Sequence, residues 1–138
     1  MKEQELVERA KAFVVAVSTA APREIIEGFC SEDVVQEEFS NLLRPQGAVR
    51  DFINWRAACD KARYSIAAQS NEVINAVAQG NCVIVETKWT ATWAVNFGKL
   101  APGDTVRARV VHVLEFRDGR VFHIRSYYCF EPFQASAV

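Results

Sequence analysis

The sequence predicts an α+β fold, a curved sheet with helices packed on one face. Three observations carry that prediction. Apolar residues recur at helical spacing in the first 61 residues and at period two afterwards, and a tight-turn signal separates the last two long apolar runs. That signal is Asp118-Gly119, set between Thr105–Arg117 and Val121–Phe130. An Asp-Gly pair supplies the positive φ that a primed hairpin turn needs.

Helix one is expected from about Lys2 to Ser18, with Leu6, Val7, Ala10, Phe13, Val14 and Val17 as its apolar stripe. Pro22 fits the first turn of a short second helix, because its missing N–H costs nothing there. Ile25, Ile26 and Phe29 form the buried side of that helix, and Val34 to Phe39 forms a brief extended segment. Pro45 and Gly47 end an irregular turn. A third helix is expected from about Ala48 to Lys61, with Val49, Phe52, Ile53 and Cys59 inward and Trp55 at one edge.

The remainder reads as strand. Tyr64 to Ala78 is long and weakly patterned, which predicts a kink, and Gln79-Gly80-Asn81 turns the chain. In the return from Cys82 to Val95, Val83, Val85, Thr87, Trp89, Ala91, Trp93 and Val95 share a face, with Glu86, Lys88, Thr90 and Thr92 opposite. In the next strand Val106, Ala108, Val110, His112, Leu114 and Phe116 share a face. His112 is the one polar interruption of that face. A two-residue turn would send Arg125 into an apolar interior, so a bulge is expected near Phe122-His123, leaving Ile124, Ser126 and Tyr128 inside.

At 138 residues the chain is expected to form one domain spanning 1–138. A formal charge of −1 argues against nucleic acid as a partner. No apolar run is long enough to span a membrane, and the N-terminus lacks signal-peptide character, so a cytoplasmic protein is expected. Cys30, Cys59, Cys82 and Cys129 have no metal or redox spacing and are read as reduced thiols. With His112 and His123 the only histidines and no carboxylate at ligand spacing, neither a metal nor a cofactor is expected.

These elements, in this order, resemble the nuclear transport factor two-like superfamily, and within it SnoaL-like proteins. Three stretches carry the likeness: Glu38-Phe39-Ser40-Asn41 with Pro45-Gln46-Gly47, the hairpin Leu114–Arg120, and Tyr127-Tyr128-Cys129-Phe130-Glu131-Pro132-Phe133. The resemblance implies a cone-shaped sheet closing on a deep apolar pocket for an apolar small molecule. It also implies a homodimer formed through the outer sheet face, here Glu86-Lys88-Thr90-Thr92 and Arg109-Val111-Val113-Glu115.

The resemblance further marks three candidate catalytic residues. Glu38 lies nine residues before Gly47, matching the general-base carboxylate of the ketosteroid isomerase branch. The other reading is a solvated acid, and alternation lets only one of Glu37 and Glu38 face inward. His112 lies four residues before Phe116, where that branch carries a hydrogen-bond donor to the substrate oxygen. An imidazole could fill that role, or be a core histidine satisfied by a neighbour. Tyr128 replaces the acid of the relatives' Tyr-Asp-Cys-Phe pattern, and Phe13-Val14 stands where the isomerases place a tyrosine. Both departures count against ordinary cyclase and isomerase chemistry. Phe13, Asn41, Phe52, Trp55, Trp89 and Trp93 are expected to line or cap the pocket, with capping of its own turn as the alternative for Asn41. The expected function is acid–base isomerisation, cyclisation or hydration beside a carbonyl, with a non-catalytic binding or dimerisation module as the alternative.

Overall fold

In a computed structural model, residues 1–19 and 21–132 are described. Phe133, the last residue of the C-terminal stretch quoted above, lies outside them. Helices α1 (Glu3–Ser18), α2 (Arg23–Glu27) and α3 (Phe52–Ser65) pack on a six-stranded sheet. The strands are β1 (Cys30–Glu38), β2 (Ala48–Arg50), β3 (Ile66–Gln79), β4 (Cys82–Trp93), β5 (Thr105–Arg117) and β6 (Arg120–Phe130), in the order β2-β1-β6-β5-β4-β3. The sheet is curved and unclosed. β1 pairs parallel to β6, and the other neighbouring strands pair antiparallel. β1 enters after the two N-terminal helices and joins the flank of the last strand, with no hairpin to impose an antiparallel direction.

The β5–β6 hairpin turns at Asp118 and Gly119, whose φ values are 52° and 76°. Glu115 pairs with His123 but Phe116 with Val121, which leaves Phe122 as the extra residue. The predicted bulge is therefore present, and it sends Ile124 and Ser126 into the interior while Arg125 faces out to Glu115. The kinks expected in β3 are register shifts between Ile66 and Ala68 and between Val73 and Asn75.

The third helix departs from its predicted start. Ala48–Arg50 forms the short edge strand β2, and Asp51 caps α3 by accepting a hydrogen bond from the Asn54 N–H at 2.9 Å. Pairing with β1 puts Val49 opposite Glu37 on the outer face, 72 % exposed, and turns Arg50 inward toward Gln36 and Glu38. Counted from the true helix start, Phe52, Trp55, Cys59 and Ala62 make the inward stripe. Trp55 is only 5 % exposed while Ile53 is 71 % exposed, reversing their expected roles. In α2, Ile26 is buried and Ile25 faces solvent, and β1 begins at Cys30, earlier than the expected Val34.

The core lies between α1, α3 and the concave sheet face, where Leu6, Phe13, Trp55, Val85 and Leu114 pack with Val121 and Ile124. A second cluster of Trp93, Leu100 and Val106 closes the far end, with Leu43, Ile66, Trp89 and Phe130 against it. Between the two the interior stays open.

Candidate functional site

The open space is a cavity of about 250 Å³, walled by α1, α3 and the inner faces of β1, β3, β4, β5 and β6. Phe13, Trp55, Trp89, Trp93, Glu38, His112 and Tyr128 all line it. Seven of the nine residues named from the sequence therefore sit in its wall, and the acid and the imidazole open onto one hollow. Phe52 and Asn41 do not join the lining. Phe52 packs against Trp55 with the Arg56 guanidinium over its ring. The Asn41 amide donates to Glu38 Oε2 at 2.9 Å, and its oxygen accepts from the Leu43 and Arg44 N–H groups. Asn41 thus caps its own turn and braces Glu38 from behind.

Glu38 points inward because Gln36 does, two residues earlier, while Glu37 turns out toward His123. Its carboxylate meets Arg50 Nη1 at 3.1 Å and Arg44 Nε at 3.6 Å. The same Arg50 nitrogen donates to Gln36 Oε1 at 2.7 Å. The carboxylate is thus part of a compensated cluster and not the solvated acid of the alternative reading. Arg50 was missed because it was placed in a helix. Gly47 shapes the turn beside the cluster, at φ 65°, where a Cβ would come within 2.6 Å of the Glu38 carbonyl oxygen.

His112 Nδ1 lies 2.8 Å from Ser126 Oγ, directly across the β5–β6 pair. Protein surrounds the ring, and the accessible surface it keeps faces the cavity. Burial pulls its pKa down to about 4, so the imidazole is neutral at pH 7. With Nδ1 engaged, Nε2 is the nitrogen left for a ligand. Tyr128 stands edge-on to His112 at 6.1 Å between ring centroids and stacks on Phe130. Burial, reinforced by the Glu38 charge, pushes the phenol pKa up, so Tyr128 stays a hydrogen-bond donor.

The far wall holds polar residues that were read only as strand. Gln69 accepts from the Trp89 indole N–H at 2.9 Å. Asn71 Oδ1, Thr87 Oγ1 and Trp93 Nε1 are buried without a hydrogen-bond partner among the described residues. The alternation of Gln69, Asn71 and Val73 was a usable signal for inward polar positions, blurred by the two bulges of β3.

The cysteines are unpaired; burial pushes the Cys30 thiol up to about 12 and the Cys59 thiol to about 11. Among the described residues, no three of His, Cys, Asp and Glu gather to hold a metal ion. No helix among them is long and apolar enough to cross a membrane.

A model of the SnoaL-like domain matches residues 10–124. The chain belongs to the SnoaL-like domain family. Solved structures agree with the fold. AclR from Streptomyces galilaeus, a proposed hydroxylase, superposes with a TM-score of 0.78 at 20 % identity over 95 % of this chain and 83 % of that one. IdmH from Streptomyces antibioticus, a proposed polyketide cyclase, gives 0.74 at 16 % identity over 89 % and 91 %. An epoxide hydrolase of the LEH-like type from M. tuberculosis gives 0.69 at 17 % identity over 91 % and 84 %. Identities this low carry the fold alone, and these three structures bear three different activity names. No curated protein matches by sequence.

Proposed function

We propose that this SnoaL-like chain binds an uncharged, mostly apolar small molecule and performs acid–base chemistry beside its carbonyl. Glu38 takes the proton from the neighbouring carbon, and the electron pair moves onto the carbonyl oxygen. His112 Nε2–H and the Tyr128 phenol donate to that oxygen, with the Ser126 hydroxyl donating to Nδ1 to set the tautomer. Isomerisation and aldol-type ring closure share this enolate-forming step; in hydration of a conjugated double bond Glu38 takes its proton from the attacking water, and the same donors hold the enolate oxygen.

The observation that carries the reading is the opening of Glu38 and His112 onto one largely apolar cavity. Glu38 sits opposite Ser126 and Ser126 opposite His112. The acid and the imidazole are therefore two strands apart, about 10 Å, which leaves room for a ring between them. A second reading, binding without chemistry, is favoured by the two ion pairs on Glu38, since Arg50 occupies one carboxylate oxygen and Arg44 lies against the other.

Proton–deuterium exchange beside the carbonyl of 1-tetralone, followed by NMR in D2O, separates the readings. Protein-dependent exchange that falls about a hundredfold in Glu38→Gln supports catalysis. A bound ketone that does not exchange supports the binding module.

The proposal includes a homodimer across the outer sheet face, where Ile74, Val77, Ile84 and Tyr127 are exposed beside the predicted contact residues. Sedimentation equilibrium tests it, and a monomer at micromolar concentration contradicts it. Four unpaired cysteines support a reducing, cytoplasmic setting.

A further inference from the structure

We propose that the Gln36 amide is a fixed donor in the cavity wall and receives a second acceptor oxygen of the ligand, distinct from the ketone oxygen held at His112. This deepens the pocket reading above and rests on it.

Gln36 and Glu38 are successive inward residues of β1, and both line the cavity. They pair with Ile124 and Ser126 on β6, which in turn lie opposite Leu114 and His112 on β5. Glu38, Ser126 and His112 therefore form one row across the sheet. Gln36 stands one row closer to the β5–β6 turn, two residues or about 7 Å along the strand. Beyond it the interior is solid. Val34, the preceding inward residue of β1, and Leu114 are buried in the core and do not line the cavity. Gln36 is thus the wall at a closed end, beside the space that Glu38 and His112 share.

The partner of Gln36 decides which end of its amide meets that space. Arg50 Nη1 donates to Gln36 Oε1 at 2.7 Å and to Glu38 Oε1 at 3.1 Å. A guanidinium only donates, so the amide atom against it is the oxygen, and the NH2 group is the end left over. That nitrogen has no acceptor among the described residues. Gln36 is only 6 % exposed, yet its nitrogen is not one of the partnerless atoms that the protein seals off from contact. Thr87 Oγ1, Asn71 Oδ1 and Trp93 Nε1 are sealed in that way and lie out of a ligand's reach. The Gln36 N–H groups can be met from the cavity, and Arg50 holds them in place before anything binds. Such preorganisation spares the ligand the cost of ordering its partner.

The donor also defines the chemistry of what it receives. An amide NH2 group donates and does not accept, so the matching group must carry an acceptor. In an uncharged ligand a carbonyl oxygen is the simplest such group. One oxygen is held at His112 on β5, and the other at Gln36 on β1, one row along. The two therefore stand on opposite sides of the ring that lies between them. The ligand class is an uncharged cyclic molecule with two separated acceptor oxygens, the second on the Glu38 side.

Calorimetric titration of the wild type with trans-1-decalone and trans-decalin-1,5-dione tests this. The dione adds a second oxygen on the opposite side of the same two-ring frame. The wild type should bind the dione about tenfold tighter, the worth of one hydrogen bond to a buried donor. Gln36→Met keeps the length of the side chain and removes its N–H groups. It should bring the two affinities within about twofold of each other. Equal affinities in the wild type, or a variant that keeps the preference, overturns the donor. If the variant binds neither ketone, a crystal structure of the wild type with the dione decides. An oxygen within about 3.2 Å of Gln36 Nε2 supports the assignment. An oxygen placed elsewhere, or a water kept between the two, overturns it. Failure of both ketones to bind the wild type refutes the pocket reading itself.

Discussion

The two ends of the cavity solve the problem of buried polarity in opposite ways. At the β1 end, Glu38, Arg50, Gln36, Asn41 and Arg44 satisfy one another through ion pairs and hydrogen bonds. At the β3–β4 end, Asn71, Thr87 and Trp93 bury polar atoms with no such partner among the described residues. One end holds charge that the protein has compensated; the other holds neutral groups that it has not. Stability should therefore respond in opposite directions to truncation at the two ends.

The largest effect expected is on turnover. Glu38→Gln should lower exchange or turnover by about 10²–10⁴-fold, the usual contribution of a general base. Its melting temperature should fall as well, because Arg50, 12 % exposed, loses a charged partner. A variant that melts lower but turns over normally would leave Glu38 a purely structural member of its cluster. Arg50→Ala removes the other half of the pair and should cost about 3 kcal/mol in chemical denaturation. It leaves a carboxylate that is itself only 16 % exposed with one oxygen unmatched, Arg44 and Asn41 remaining on the other.

His112 sits between the two ends and reports pH. Its folded pKa, about 4, lies below its ordinary value of 6.5. The unfolded chain thus binds the proton first, and stability falls as pH drops from about 6.5 to about 4, by roughly 3 kcal/mol. Below that window this group adds no further loss. His112→Gln should flatten that slope. Losses below pH 4 then belong to groups such as Asp33, whose carboxyl the Arg117 guanidinium holds at about 2, and Glu115, lowered by Arg125. Smallest and opposite in sign, Thr87→Val should leave the unliganded protein as stable or raise it by about 1 kcal/mol, since it removes an unpaired hydroxyl. A loss of stability there would mean that Thr87 already has a partner, and the contrast between the ends would disappear.

The sequence made the second half of the molecule legible and blurred the first. Period two along β4 and β5 fixed which side chains face the cavity, and the clash of Arg125 with an apolar interior was enough to place a bulge near Phe122-His123. Local pattern failed where a few residues decide a change of element. Ala48–Arg50 is too short to show a period, so it merged with the helix that follows and hid Arg50. Asp51, an N-cap by residue type, was the available sign that α3 starts later. The pairing of β1 with β6 joins residues some ninety positions apart, and nothing near either strand encodes it. His112, Glu38, Tyr128 and four of the aromatics were visible as exceptions or as family positions. Asn71 and Thr87 were not, because an inward polar residue stands out only once the space in front of it is known.

The account rests on a small uncharged molecule entering the hollow between Glu38 and His112. A crystal structure with 1-tetralone bound tests this most directly. It should show the ring between α1 and the inner sheet face, with the ketone oxygen within 3.2 Å of His112 Nε2 or the Tyr128 hydroxyl, as a hydrogen bond requires. A ketone seated elsewhere, or side chains closed over an empty cavity at saturating ketone, would contradict it.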